Sequence, residues 1–228
     1  MMENNRNLFL SLLKYKPLEN KTPLENFITE AFVFLLSWSL ETERKIFNEF
    51  LKLLGISITN SNKIELYTQK SFKCGDTVAI PDILIKIDSE FHFIEVKVFS
   101  EFNLYTEEKE NEEEKVINQI EKYEKIILPS KKYIYSLTVN PPNIEFQTKS
   151  FIKSITWQDI SNLFASADCE SGLKKMLNNF NELLIKNNMV FSKVSKELIL
   201  GINELLSFHN QLGIVLSEIN YPKKQSNS

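Results

Sequence analysis

Glycine is scarce in this chain: five residues in 228, at Gly55, Gly75, Gly172, Gly201 and Gly213. No two stand close enough to form a Gly-rich phosphate cradle, which excludes the P-loop and dinucleotide-binding classes. Histidine is scarcer still, with only His92 and His209, too few for a His-rich zinc site. The two cysteines, Cys74 and Cys169, cannot make a disulfide framework. Long apolar runs are missing as well. The longest charge-free one, Ala31 to Leu40, is about half of what a bilayer crossing requires. Residues Met1 to Lys16 show no basic region followed by an apolar stretch and a cleavage site. A soluble protein of the reducing cytoplasm, without a membrane role, is therefore expected. Any chemistry must fall to carboxylates and lysines.

The chain is 43% hydrophobic and 25% charged, enough for a real core and unlike disordered or fibrous sequences. Its net charge of −3 hides an asymmetry. Glu107 to Glu114 carries six acids and one base, so the rest of the chain sums to a mildly basic +2.

Thr22-Pro23-Leu24-Glu25 reads as a helix start, with Thr22 as cap, Pro23 in the first turn and Glu25 completing a capping box. The helix runs to about Leu40 and is apolar on nearly every side apart from Glu30, which marks it as buried. A second helix spans roughly Thr42 to Leu54 and stops at Gly55. The period then turns strand-like. Lys63 to Gln69, Asp82 to Asp88, Phe91 to Phe99 and Lys132 to Val139 are the expected strands, the middle two joined in a hairpin about Ser89. A helix is expected from about Glu107 to Leu128, striped by Val116, Ile120, Tyr123 and Ile127, with the acidic run at its start. A short strand over Ile152 to Ile155 precedes a helix starting near Trp157, and from Ala167 the pattern is helical only. The resulting organisation is an α/β domain over 1–165, a helical hairpin over 166–221 and a flexible tail over 222–228.

The hairpin holds the chemistry. Alternation puts Glu95 and Lys97 on one face, with Val96 and Val98 on the other. Facing residues sum to about 177 or 178, so Asp82 stands opposite Glu95 or Val96. Two carboxylates and a lysine thus converge. Clustered carboxylates repel each other unless a cation joins them. A hard divalent ion such as Mg²⁺ or Mn²⁺ meets that need, with the lysine placed to orient a water.

Pro81-Asp82, followed twelve residues later by Glu95-Val96-Lys97, resembles the signature of the PD-(D/E)XK nuclease superfamily. Two further elements are similar. Glu25-Asn26-Phe27-Ile28-Thr29-Glu30 resembles the glutamate-bearing first helix of many small members, and Gln119-Ile120-Glu121-Lys122-Tyr123 the Gln-x-x-x-Tyr element that some branches carry after the Glu-x-Lys strand. The resemblance covers roughly residues 20 to 140. It implies a restriction-endonuclease-like core, a mixed central sheet flanked by helices, with an all-helical C-terminal extension outside it. It also implies phosphodiester hydrolysis of DNA with Mg²⁺, or Mn²⁺ as substitute, in defence, restriction or repair. In that scheme Asp82, Glu95 and the Val96 carbonyl hold the metal, Glu30 completes or orients its shell, and Lys97 positions the attacking water. Gln119 and Tyr123 steady Lys97 or contact the nucleic-acid backbone. Two alternatives stand beside it: an RNA-directed nuclease, and a catalytically silent nuclease-like fold that binds a partner. The C-terminal 3-4 repeat, Phe191 to Val215, offers a surface for homodimerisation or for a protein partner.

Overall fold

The computed structural model describes residues 23–59, 61–75, 77–98, 101–107, 115–142, 146, 148–191, 204–205, 207–209 and 211. The chain divides into two compact units, Met1–Val190 and Phe191–Ser228. In the first, the elements run α1 (Pro23–Glu41), α2 (Lys45–Leu53), β1 (Ile64–Thr68), β2 (Phe72–Cys74), β3 (Thr77–Ala79), β4 (Ile83–Ile87) and β5 (Glu90–Val96). They continue with β6 (Leu104–Glu107), β7 (Lys115–Asn118), α3 (Gln119–Glu124), β8 (Lys132–Thr138), β9 (Phe151–Thr156), α4 (Trp157–Ser166) and α5 (Ser171–Lys186). Described residues of the second unit are helical at 204–205, 207–209 and 211. The expected Thr22 cap, most of the acidic run, most of the C-terminal repeat and the tail lie outside the described residues.

Five strands form one mixed sheet in the order β1-β4-β5-β8-β9. The first three pair antiparallel, while β8 and β9 join parallel to β5 and to each other. Period-2 burial then sorts side chains into two layers. Ile83, Ile85, Ile94, Val96 and Leu137 face a core built with α1, α2, α4 and α5. There Phe32 meets Phe50 at 5.2 Å and Trp157 at 5.5 Å between ring centroids. Leu84, Phe93 and Ile134 face the opposite side, where Ile120 and Tyr123 of α3 and Cys74 and Ala79 of the β2–β3 hairpin cover them.

Local chemistry sets the boundaries. Gly55 takes φ +78 after α2, and the bonds Gly55 N–H to Lys52 O and Ile56 N–H to Leu51 O close a Schellman turn. Thr156 and Asp159 form a capping box at α4. Asp88, at φ +51, sits with Ser89 in the β4–β5 turn and accepts from the Lys63 N–H at 2.8 Å, tying β1 to the same corner.

Three expectations change. The helix placed over Glu107 to Leu128 shrinks to the six residues of α3, because Leu104–Glu107 and Lys115–Asn118 pair as a hairpin. Val116 is 57% exposed next to the buried Ile117, an alternation of period two that the spacing 116, 120, 123, 127 masked. Ile127, fourth of that stripe, is exposed. No element was expected between Gln69 and Asp82, where β2 and β3 form a hairpin, with Gly75 at φ +58 next to β2 and Cys74 paired to Thr77. The boundary at residue 165 also moves. Helix α5 belongs to the first unit, since Leu173, Leu177, Phe180 and Leu184 share the core of Phe32, and Lys174 Nζ donates to the Ala167 carbonyl at 2.6 Å beyond the end of α4.

Candidate active site

The β4–β5 register pairs Ile83 with Ile94, which carries Asp82 opposite Glu95 and on the same face as Leu84 and Phe93. Asp82, Glu95 and Lys97 are 1%, 0% and 4% exposed. Asp82 sits just before β4, where its Oδ2 accepts from the Val96 N–H at 2.9 Å. The next amide along, Lys97 N–H, donates the other way, to Leu137 O of β8 at 2.8 Å. The Val96 carbonyl therefore lies on the Asp82 edge along with its N–H. Lys97 Nζ stands 2.7 Å from Glu95 Oε1.

Helix α3 completes the arrangement. Its capping box, Asn118 to Glu121 N–H and Glu121 to Asn118 N–H, both 3.0 Å, fixes where the helix starts and hence where its one buried face points. Tyr123 and Gln119 are four apart on that face. The Tyr123 hydroxyl donates to Glu95 Oε2, lies 3.2 Å from the Ile80 carbonyl, and accepts from Gln119 Nε2 at 3.0 Å. Gln119 and Tyr123 thus steady Glu95, where the expectation was that they steady Lys97 or contact the nucleic-acid backbone.

Helix α1 contributes a different carboxylate from the one expected. Glu25 is 2% exposed, and its Oε2 accepts from the Val98 N–H at 3.0 Å. Glu30 is half-buried, and no hydrogen bond or ion pair links it to Asp82, Glu95 or Lys97. Five residues on a helix rotate a side chain by about 140°, so the two glutamates cannot share one target. The sequence carried only the spacing of Glu25 and Thr29, one turn apart; in the fold both are buried, and Thr29 Oγ1 donates to the Glu25 carbonyl at 2.9 Å. A capping-box assignment had used Glu25 up.

Burial by itself would lower the Lys97 pKa. The carboxylates of Glu95, then Asp82 and Glu25, outweigh it and hold the ammonium above the ordinary lysine range. Burial, reinforced by Glu95 and Asp82, pushes the Tyr123 phenol well above its usual value and keeps it a donor. On the other face of β5, His92 stacks on Tyr133 at 4.9 Å, and burial lowers its pKa to about 4. His92 is a neutral part of that core. Among the described residues no group of three His, Cys, Asp or Glu side chains is placed to hold a metal ion, and no helix is long and apolar enough to cross a membrane. Comparison with protein-family models, with curated proteins and with solved structures finds no match for this chain.

Proposed function

We propose that this chain is a metal-dependent nuclease hydrolysing DNA phosphodiester bonds on a restriction-endonuclease-like core. The observation that carries the reading is the convergence of Asp82, Glu95 and Lys97 on one covered face at the end of the β4–β5 pair, with three carboxylates, Glu25 included, around one ammonium. Surface ion pairs are not built this way. They are wet, and worth little.

The donors fit Mg²⁺ or Mn²⁺ in kind, being hard oxygens crowded in a dry site. Asp82, Glu95 and the Val96 carbonyl would hold the ion, and Glu25, fixed by the Val98 N–H, would orient that shell in the role first given to Glu30. When bound, the ion supplies charge neutralisation at the scissile phosphate and acidity to a water. The chain supplies position. The Val96 N–H fixes one Asp82 oxygen, and Tyr123, held by Gln119, fixes one Glu95 oxygen. Lys97, held in the cluster by the other Glu95 oxygen, orients the water for in-line attack.

A second reading draws on the same contacts. Both Glu95 oxygens already face a donor, Lys97 and Tyr123, which suits a silent nuclease-like fold that binds a partner. One panel separates the two: full-length protein with double-stranded DNA, single-stranded DNA and RNA, with and without Mg²⁺ or Mn²⁺, plus melting curves with Mn²⁺. A nuclease cleaves only with metal and loses cleavage in Lys97→Ala and in Asp82→Asn, whose amide still accepts from Val96 N–H. Unchanged cleavage in both folded variants overturns the site. No cleavage and no Mn²⁺-dependent rise in Tm overturns the enzyme and leaves the binding module.

A further inference from the structure

Beside the carboxylate cluster lies a cavity of about 210 Å³, below the roughly 300 Å³ at which drug-sized sites begin. Its walls come from the end of the β2–β3 hairpin and the residue after it, Val78 and Ile80; from the start of β6, Asn103 and Tyr105; and from α3, Gln119 and Lys122. Val78 and Ile80 leave 54% and 43% of their surface exposed although both are branched hydrocarbons. The Lys122 ammonium lies 4.3 Å from the centre of the Tyr105 ring. An aromatic face, apolar side walls and one positive charge are what a flat, electron-rich ring attached to a phosphate would meet.

Gln119 adds a directional feature. It is 4% exposed, and its Nε2 donates to Tyr123 while its Oε1 has no hydrogen-bond partner among the described residues. The amide orientation follows from the network, because the Tyr123 hydroxyl spends its proton on Glu95 and must accept from Gln119. A buried acceptor without a donor is costly; the oxygen is closed off as the cavity stands, and a ligand N–H brought to it by a turn of the Gln119 side chain removes the cost. Tyr123 stands between this wall and Glu95, so one side chain separates the cavity from the carboxylates.

We infer that the cavity receives one unstacked nucleobase of a single-stranded nucleic acid whose neighbouring phosphodiester lies at Asp82, Glu95 and Lys97. The phosphate half of this rests on the nuclease reading above; the base half rests on the cavity. Every base has a π-face for Tyr105 and at least one N–H for Gln119 Oε1, so the cavity accepts a base without demanding a sequence. Its volume is of the order of one base. A duplex must open to fill it and is the poorer ligand.

Two measurements test the cavity and the nuclease separately. The first is metal-free binding of a labelled single-stranded oligonucleotide to the full chain, against the same length made wholly abasic and against a duplex. The intact strand is expected to bind about tenfold more tightly than the abasic one. Tyr105→Ala, and independently Val78→Trp, which crowds the mouth, are expected to erase that difference while leaving abasic-strand binding unchanged. Equal binding of intact and abasic strands overturns the inference, as does a difference that survives in both folded variants. The second is Mn²⁺-dependent cleavage of the same strands. Base-dependent binding without cleavage sinks the nuclease and keeps the cavity, whereas cleavage with no base dependence does the reverse.

Discussion

Two glutamates in the same sheet are dressed with the same parts and behave as opposites. On the edge strand β1, Glu65 has Lys63 at 2.8 Å, Lys86 at 3.9 Å and the hydroxyl of Tyr67. On the central strand β5, Glu95 has Lys97 at 2.7 Å and the hydroxyl of Tyr123. Each pairs a lysine two residues away with a tyrosine. The difference lies in the count and in the water. At β1, two lysines serve one carboxylate, and the Lys63 side chain is 66% exposed. At β5, one lysine serves three carboxylates, and its side chain is 5% exposed. An ion pair becomes a candidate for chemistry when acids outnumber bases where solvent cannot reach. The pair itself is not the signal.

Removing the buried lysine is the severest way to break the comparison. Lys97→Met takes away the ammonium shared by three buried carboxylates and is expected to cost about 3–5 kcal/mol in urea unfolding without metal. A loss no greater than that of a surface variant would abolish the distinction. Next come the tyrosines. Tyr123→Phe removes the donor from a wholly buried oxygen, for about 1–3 kcal/mol, and Tyr67→Phe is expected to cost less because water can replace it.

Acid sharpens the contrast further. Hydrogen bonds from Lys63, then Tyr67, hold Glu65 at about 2, below its ordinary 4.5, against the opposing effect of burial. The unfolded chain binds that proton first, so stability from Glu65 is complete above pH 4.5 and falls away between 4.5 and about 2. His92, lowered by burial from 6.5 to about 4, gives an earlier loss across its own window, again because only the unfolded chain takes the proton there. Urea midpoints measured from pH 7 to 2.5 should show both losses. Glu65→Gln removes the lower one, and His92→Phe the upper. The smallest change is expected for Lys63→Ala at pH 7, under about 1 kcal/mol, as for other solvated pairs.

The β4–β5 hairpin was legible because its signals agree: alternation of Ile83, Ile85, Ile94 and Val96, a short turn about Ser89, and hence a register fixed within one residue. The mixed sheet flanked by helices was expected from the family resemblance, and the strand order bears out that coarser architecture. What escaped was context. Val116-Ile117 suits a helix stripe or a strand equally well until its neighbour is known, and Tyr105 supplies that neighbour by pairing with Ile117. Glu25 was hidden by a sufficient local explanation, a cap. Glu30 stood out because a charge inside an apolar helix looks expensive, yet half-burial lets water meet that cost. The β2–β3 hairpin was too short to announce itself, and with it went one wall of the cavity.

The bond from Val98 to Glu25 spans 73 positions of the chain, that from Tyr123 to Glu95 spans 28, and that from Val96 to Asp82 spans 14. Each such closure costs chain entropy before it returns any contact energy. The cluster is therefore complete only when the β4–β5 hairpin is paired and both α1 and α3 are docked. On the ribosome it cannot exist until Tyr123 has emerged. A growing chain shorter than that carries no complete cluster, so the arrangement of its carboxylates belongs to the later half of synthesis.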